Sequence, residues 1–257
     1  MFSGGIGFGD SLGAVSITAA DGISLGSGVH TTGNIAFTGP VTLTGGVTVD
    51  SNHSGTDGTV TFSSTIDGSG QALTIDSGSG AVLVQGAIGS SAALSSVTVN
   101  TSGAGTISLA NIGGTNSGVT GATSVGNTDT ETLTLSGSTY NTTGTQEYTS
   151  TSGENIYLTK GSTTTFTSAN NNITFGTGTV EMGNGSNLVV NTGTGIGNIN
   201  MVGGVMGTSS ETVTLTAGTG TVAIGAIGSG SEIADVTITS TGTTTFSGDF
   251  VGGNLSN

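Results

Sequence analysis

The chain has 257 residues, of which 50 are glycine, one is lysine, none is arginine and 15 are acidic, for a net charge of -14. A single basic side chain all but excludes nucleic-acid binding, because phosphate neutralisation needs clustered Lys or Arg, and it disfavours docking on anionic lipid for the same reason. With no cysteine there is no disulfide framework and no thiolate chemistry.

In chain order, residues 1–30 lack a basic region followed by an apolar core, so no export signal is read there. The chain is expected to be a processed segment or a fragment of something longer. No later apolar run reaches transmembrane length. Disorder is disfavoured too, since only 6% of residues are charged and Pro40 is the single proline.

From Gly13 onward a five-residue phrase recurs, small–small–aliphatic–polar–apolar, at Gly13–Ile17, Gly58–Phe62, Gly80–Val84, Gly105–Leu109 and Gly220–Ile224. Shorter versions are Asn34–Phe37, Asn172–Phe175 and Asn198–Met201. The aliphatic markers are Val15, Ile35, Val60, Val82, Ile107, Ile173, Ile199 and Val222. They return at a nearly constant interval, and the one long gap, Ile107 to Ile173, reads as three turns of it. A fixed period in this range predicts a stacked array in which each unit buries its apolar face against its neighbours.

Two periods align in detail, Gly80–Gly103 with Gly220–Gly242. Each has a first strand (Val82/Val84; Val222/Ile224), a Gly-Ala-Ile-Gly piece (86–89; 225–228) and a third strand (Val97/Val99; Val236/Ile238). The expectation is an all-β parallel β-helix, one solenoid over 1–257, with about eleven or twelve coils of about 22 residues and three short strands in each. At about 4.8 Å per coil this is a rod roughly 55 Å long. Glycine and asparagine then belong at corners that need positive φ, and no window carries a helical apolar period.

Between 111 and 167 the repeat blurs, and there lie Tyr140, Tyr148, Tyr157, Lys160, Glu131, Glu147 and Glu154. This section is either a set of degenerate coils with a longer corner loop or a protrusion. In the second case the three tyrosines are candidate lateral contacts, tyrosine being favoured at interfaces. The last residues, 246–255, are apolar and uncharged apart from Asp249. No capping helix is visible at either end, so Phe246, Phe250, Val251 and Leu255 are candidate end-stacking contacts. A head-to-tail contact that does not close gives a filament.

An enzymatic reading finds few supports. Paired carboxylates at about 5–10 Å are needed for glycoside chemistry, whereas Asp50, Asp57, Asp67 and Asp76 lie at corners and strand ends. Asp57 and Asp76 could approach on neighbouring coils, but Asp beside Gly or Ser reads first as a turn cap. No catalytic residue and no cofactor is expected. His30 and His53 are one repeat apart and could stack one coil above the other. With Asp50 or Asp57 they would make a thin metal site. Two histidines on a polar rod read first as plain surface residues, so no metal site is expected. Thr-x-Thr pairs at 42/44, 59/61, 132/134, 214/216 and 237/239 suggest an outward threonine ladder of the kind that binds ice. They are drawn from different strands, and Leu83 and Ser108 interrupt the pattern.

Val41–Val49, Thr59–Gly68, the Gly-Ala-Ile-Gly-Ser coils and Thr142–Tyr148 resemble the repeats of filamentous-haemagglutinin-like exoproteins, very large bacterial adhesins. The resemblance covers most of the chain and is weakest across the middle. It implies a right-handed parallel β-helix that is secreted or held at the cell surface, with a structural or adhesive role. The open ends lead to an expectation of other copies stacked head to tail or further coils of a longer chain as partners. The adhesive role that the resemblance implies adds a surface receptor or glycan, with no binding residue carried over. The family's amino-terminal secretion domain with its Asn-Pro-Asn-Gly-type motif has no counterpart here, nor has its carboxy-terminal barrel, so the chain reads as a rod segment. The alternatives are an ice-binding solenoid and a carbohydrate-binding or carbohydrate-acting β-helix.

Overall fold

The computed structural model describes residues 1–9, 12–53, 57–208, 210–229 and 231–256. Among them every strand pair is parallel and joins elements one turn apart in sequence, which makes the molecule a β-solenoid, and there is no helix among the described residues. The chain visits three faces in rotation. The first face begins with Val15–Thr18 and Ile35–Thr38, the second with Ile23–Leu25 and Val41–Leu43, the third with Val29–His30 and Val47–Asp50.

Parallel register places like residues over one another, and the pleat sends alternate side chains inward. On the first face Ile35, Val60, Val82, Ile107, Leu133, Ile156, Val180 and Val205 form one buried inward column. Corners take residues that tolerate positive φ: sixteen glycines and Asn170 among the described residues. Gly39 shows why, since its φ is 124° and a Cβ there would collide with the Ala19 carbonyl of the turn below. The asparagines that open the short phrases have a separate task. The Oδ1 of Asn34, Asn172 and Asn198 accepts the amide of Thr59, Asn198 and Thr221, each one turn further on, at 2.8–2.9 Å.

The marker series crosses from one face to another. Val15 to Ile107 are successive rungs of the first face, but Ile173, Ile199 and Val222 are rungs of the third. The long gap from Ile107 to Ile173 is therefore two turns and two-thirds, running through Leu133, Ile156 and the second-face Phe166, rather than three whole turns. The alignment of 80–103 with 220–242 slips by one face for the same reason. All three faces ask for a small corner residue followed by alternating inward apolar side chains, so the phrase marks a strand without marking which one.

The rod has about nine turns, not eleven or twelve. Turn length varies along the first face, where the step from Val15 to Ile35 is the shortest and that from Ile107 to Leu133 the longest. At the amino-terminal end Phe2, Ile6 and Leu12 join the next turn through isolated bridges, whereas the carboxy-terminal end closes with the paired strands Thr244–Phe246 and Gly252–Ser256. At about 4.8 Å per turn the length is near 45 Å. Residues 111–167 stay in parallel register on all three faces. The repeat blurs there because polar and aromatic residues occupy inward positions: Thr123, Thr130, Thr142, Gln146, Tyr140 and Tyr148 are all buried.

Candidate functional surfaces

Three of the four carboxy-terminal candidates occupy the last rung of a different face. Phe246 pairs with Ile224 on the third face, Phe250 with Ile227 on the first, and Leu255 with Val236 on the second. The partners one turn below are 1% exposed, whereas Phe246, Phe250 and Leu255 are 39%, 36% and 47% exposed, with Val251 at 43% beside them. The other end mirrors this. Phe2 sits on Leu25 and Ile6 on Val29, and Phe2, Phe8 and Leu12 are exposed. Each end thus presents the interior columns in cross-section, together with strand edges that have no further turn to pair with among the described residues.

The lateral tyrosines come apart. Tyr140 and Tyr148 are fully buried, which removes them as contact residues. The Tyr140 hydroxyl donates to Leu109 O and accepts from Gly137 N, both at 3.0 Å. Tyr148 donates to Gln146 Oε1 at 2.9 Å, and Gln146 Nε2 donates to Thr167 O at 2.7 Å. A buried phenol finds partners of this kind, and here the partners are internal. Burial raises the pKa of both hydroxyls well above the ordinary range, and for Tyr148 the neighbouring Tyr140 adds to it. Only Tyr157 of the three faces outward, half-buried between Thr134 and Glu181, with Asn155 Nδ2 reaching both its hydroxyl and Glu181. Ile196 and Val202, 78% and 51% exposed, are lateral apolar residues that no sequence pattern singles out.

The threonine pairs divide between faces. Thr59/Thr61 and Thr132/Thr134 belong to the first face, where Leu83 and Ser108 break the outward column between Thr61 and Thr134. The carboxy-terminal half of the second face is more uniform. Its outward rungs are Thr139/Asn141, Thr165/Thr167, Val189/Asn191, Thr214/Thr216 and Thr237/Thr239. This two-column array is hidden in the sequence because asparagine and valine stand in for threonine and the spacing varies from turn to turn. A bulge between Thr216 and Gly218 interrupts its edge, and an open groove of about 350 Å³ lined by Gly193, Thr216, Gly218 and Thr239 lies there.

The four carboxylates singled out by position are occupied in holding turns. Asp67 Oδ1 accepts the amides of Ser91 and Ala92 in the next turn. Asp76 Oδ1 accepts Gly78 N and Asn52 Nδ2. Asp57 Oδ2 accepts the hydroxyl and amide of Ser79 at 2.5 and 2.7 Å, and these bonds, the hydroxyl first, lower its pKa. Asp50 Oδ1 accepts Asn52 N. A fifth carboxylate, Glu211, carries no signal in the sequence. It is 1% exposed and accepts Thr208 N and Oγ1, Ser210 N and, across one turn, Gly185 N.

The two histidines do meet. Their imidazoles lie 5.3 Å apart beside Asp50, while Asp57 is engaged with Ser79 instead. The chain matches no known protein-family model, no curated protein and no solved structure.

Proposed function

We propose that the chain is a structural and adhesive β-solenoid of an extracellular surface fibre, one rod segment or subunit that continues end to end into the next. The observation that carries this reading is the pair of uncovered ends. At the carboxy-terminal end one apolar residue per face lies open, directly above a buried residue of the same column. A solenoid end left in this state joins to something that repeats the same cross-section, because only another parallel turn satisfies its edge strands and covers its columns together. Further turns of a longer polypeptide or another copy meet that requirement, and the contact is heterologous and open-ended. The sides suit a fibre exposed to solvent, being polar, acidic and nearly free of basic groups. The resemblance to the repeats of filamentous-haemagglutinin-like exoproteins points the same way.

Negative-stain electron microscopy of the purified chain at two concentrations tests the reading. Thin fibres that lengthen with concentration support an assembling subunit, and isolated rods of about 45 Å support a segment whose neighbours are further coils. Compact particles with both ends covered overturn it.

A second reading has one specific observation behind it. The outward array of the second face places neutral side chains about 4.8 Å apart across strands and about 7 Å apart along them, with nine of ten positions Thr or Asn. Such a lattice of hydroxyls and amides orders water and suits an ice surface or a polysaccharide. Thermal hysteresis of the purified chain, abolished by Thr167→Lys with Thr216→Lys, is the expected signature of the ice-binding form.

A further inference from the structure

We infer that His30, Asp50 and His53 form a binding site for a divalent transition-metal ion of the zinc type near the amino-terminal end of the rod. The fold itself builds most of it. Register on the third face sets His30 directly against Asp50 on the next turn, both pointing outward. His53 follows three residues later and is anchored by its backbone N–H, which donates to Thr31 O at 3.1 Å. Asp50 Oδ2 lies 3.2 Å from His30 Nδ1 and 3.6 Å from His53 Nδ1. One ligand atom from each of the three residues lies within 4.8 Å of the others.

The two separations from Asp50 Oδ2, 3.2 and 3.6 Å, bracket the spacing of a bound metal, and the two histidine nitrogens, within 4.8 Å of each other, close to it by a small rotation of the exposed His53 ring. A tetrahedral ion with ligands at about 2.0–2.1 Å holds neighbouring donor atoms about 3.4 Å apart. Two imidazoles and one carboxylate are the donor set of catalytic-type zinc sites, and three protein ligands leave a fourth position open. That position is reachable here, since the His53 side chain is 48% exposed while His30 and Asp50 are each 17% exposed. The surrounding groups hold the ligands in place, as outer contacts do in metal sites. Asp50 Oδ1 accepts Asn52 N at 2.9 Å, which leaves Oδ2 turned toward the imidazoles. The edge of the Phe8 ring packs on His30 at 4.4 Å between centroids and limits its rotation. The turn-capping carboxylates Asp57, Asp67 and Asp76 each commit one oxygen to backbone amides, and among the described residues the carboxylate paired with both imidazoles is Asp50. An ion at the site ties strand Val29–His30 to Val47–Asp50 and so stiffens the turns next to the exposed Phe8.

Isothermal titration of the intact chain with zinc chloride at neutral pH tests this. One equivalent bound at micromolar concentration is expected, with a melting temperature that rises on adding zinc. His53→Ala, which removes an exposed side chain and leaves the backbone bond to Thr31, should melt like the parent without metal and bind about tenfold or more weakly. Side-chain nitrogen spectra of the two histidines in the unaltered chain give a second measurement that needs no variant, and both rings should shift together at one equivalent. Absence of binding below millimolar ion overturns the site. So does weak binding of several ions that His53→Ala leaves unchanged, which would place the metal on the acidic surface at large.

Discussion

Tyr140 stacks on Phe166 with ring centroids 4.7 Å apart and planes 12° apart, because the register of the second face sets these residues opposite one another on successive turns. Tyr148 meets Phe166 edge-on at 5.1 Å, and Phe175, one turn above Tyr148 on the third face, meets it at 4.9 Å. Four aromatic rings from two faces thus fill the middle of the rod. Elsewhere Phe37 and Phe62 make a stacked pair and the columns are largely aliphatic.

Phe166 touches the other three rings, so Phe166→Ala opens a void that all of them line. The expected loss is about 3–5 kcal/mol of unfolding free energy, measured by urea denaturation. Phe166→Leu should lose less, since it keeps much of the volume. Equal losses for the two would mean that ring stacking, and not cavity volume, sets the cost.

The buried phenols give the rod an alkaline limit. Tyr140 and Tyr148 have pKa values raised in the folded state by burial, above about 10 for an unfolded tyrosine. Their contribution to stability is complete below about pH 10 and is lost as the pH climbs above it, because the unfolded state releases protons first. Ultraviolet absorbance should show these two phenols ionising together with loss of the β-sheet circular dichroism signal. Ionisation well before unfolding would contradict their burial.

Thr123 occupies an inward position between Val97 and Gln146, and its hydroxyl has no hydrogen-bond partner among the described residues. Thr123→Val keeps the shape and removes the unpaired polar atom, so stability should rise by about 1 kcal/mol. Denaturation midpoints of the two proteins, compared at equal slope, decide it.

Glu211 has the opposite character. Its buried carboxylate holds the loop before Thr212–Gly218 through four hydrogen-bond donors among the described residues. Glu211→Ala leaves those donors without their acceptor and should cost on the order of 3 kcal/mol. Hydrogen exchange should show the change concentrated at Thr208, Ser210 and Gly185.

A charge at the open end should act on assembly and spare the fold. Phe250→Asp and Val251→Asp lie at exposed positions, so thermal stability of the single rod should change little. Sedimentation velocity should show shorter assemblies. Full-length assemblies in both variants would remove the carboxy-terminal end from the contact.

Much of this is legible in the residues. Glycine corners with alternating Val, Ile and Leu announce a parallel solenoid, since short inward strands repeated at this interval have few other ways to bury themselves. Phe246, Phe250, Val251 and Leu255 stand out in the sequence as an apolar run, and their 36–47% exposure is read from the structure. The histidine cluster is half legible: the interval between His30 and His53 suggests one turn, but its distances are not in the sequence. The tyrosines mislead. A lone tyrosine in a polar stretch reads as a surface residue, and only the register shows that Tyr140 and Tyr148 alternate inward.

Residue type and local spacing are enough to dictate the class of structure, its corners and its acidic, cation-poor surface. Three-dimensional stacking had to decide which face each strand joins, how many turns there are, and which polar groups meet. Those depend on turn lengths that differ along a single face, short from Val15 to Ile35 and long from Ile107 to Leu133. A shift of one corner moves every later strand to another side. Contacts such as His30 with Asp50, or Tyr140 with Phe166, join residues a whole turn apart in the chain. They exist only once parallel stacking has fixed the register.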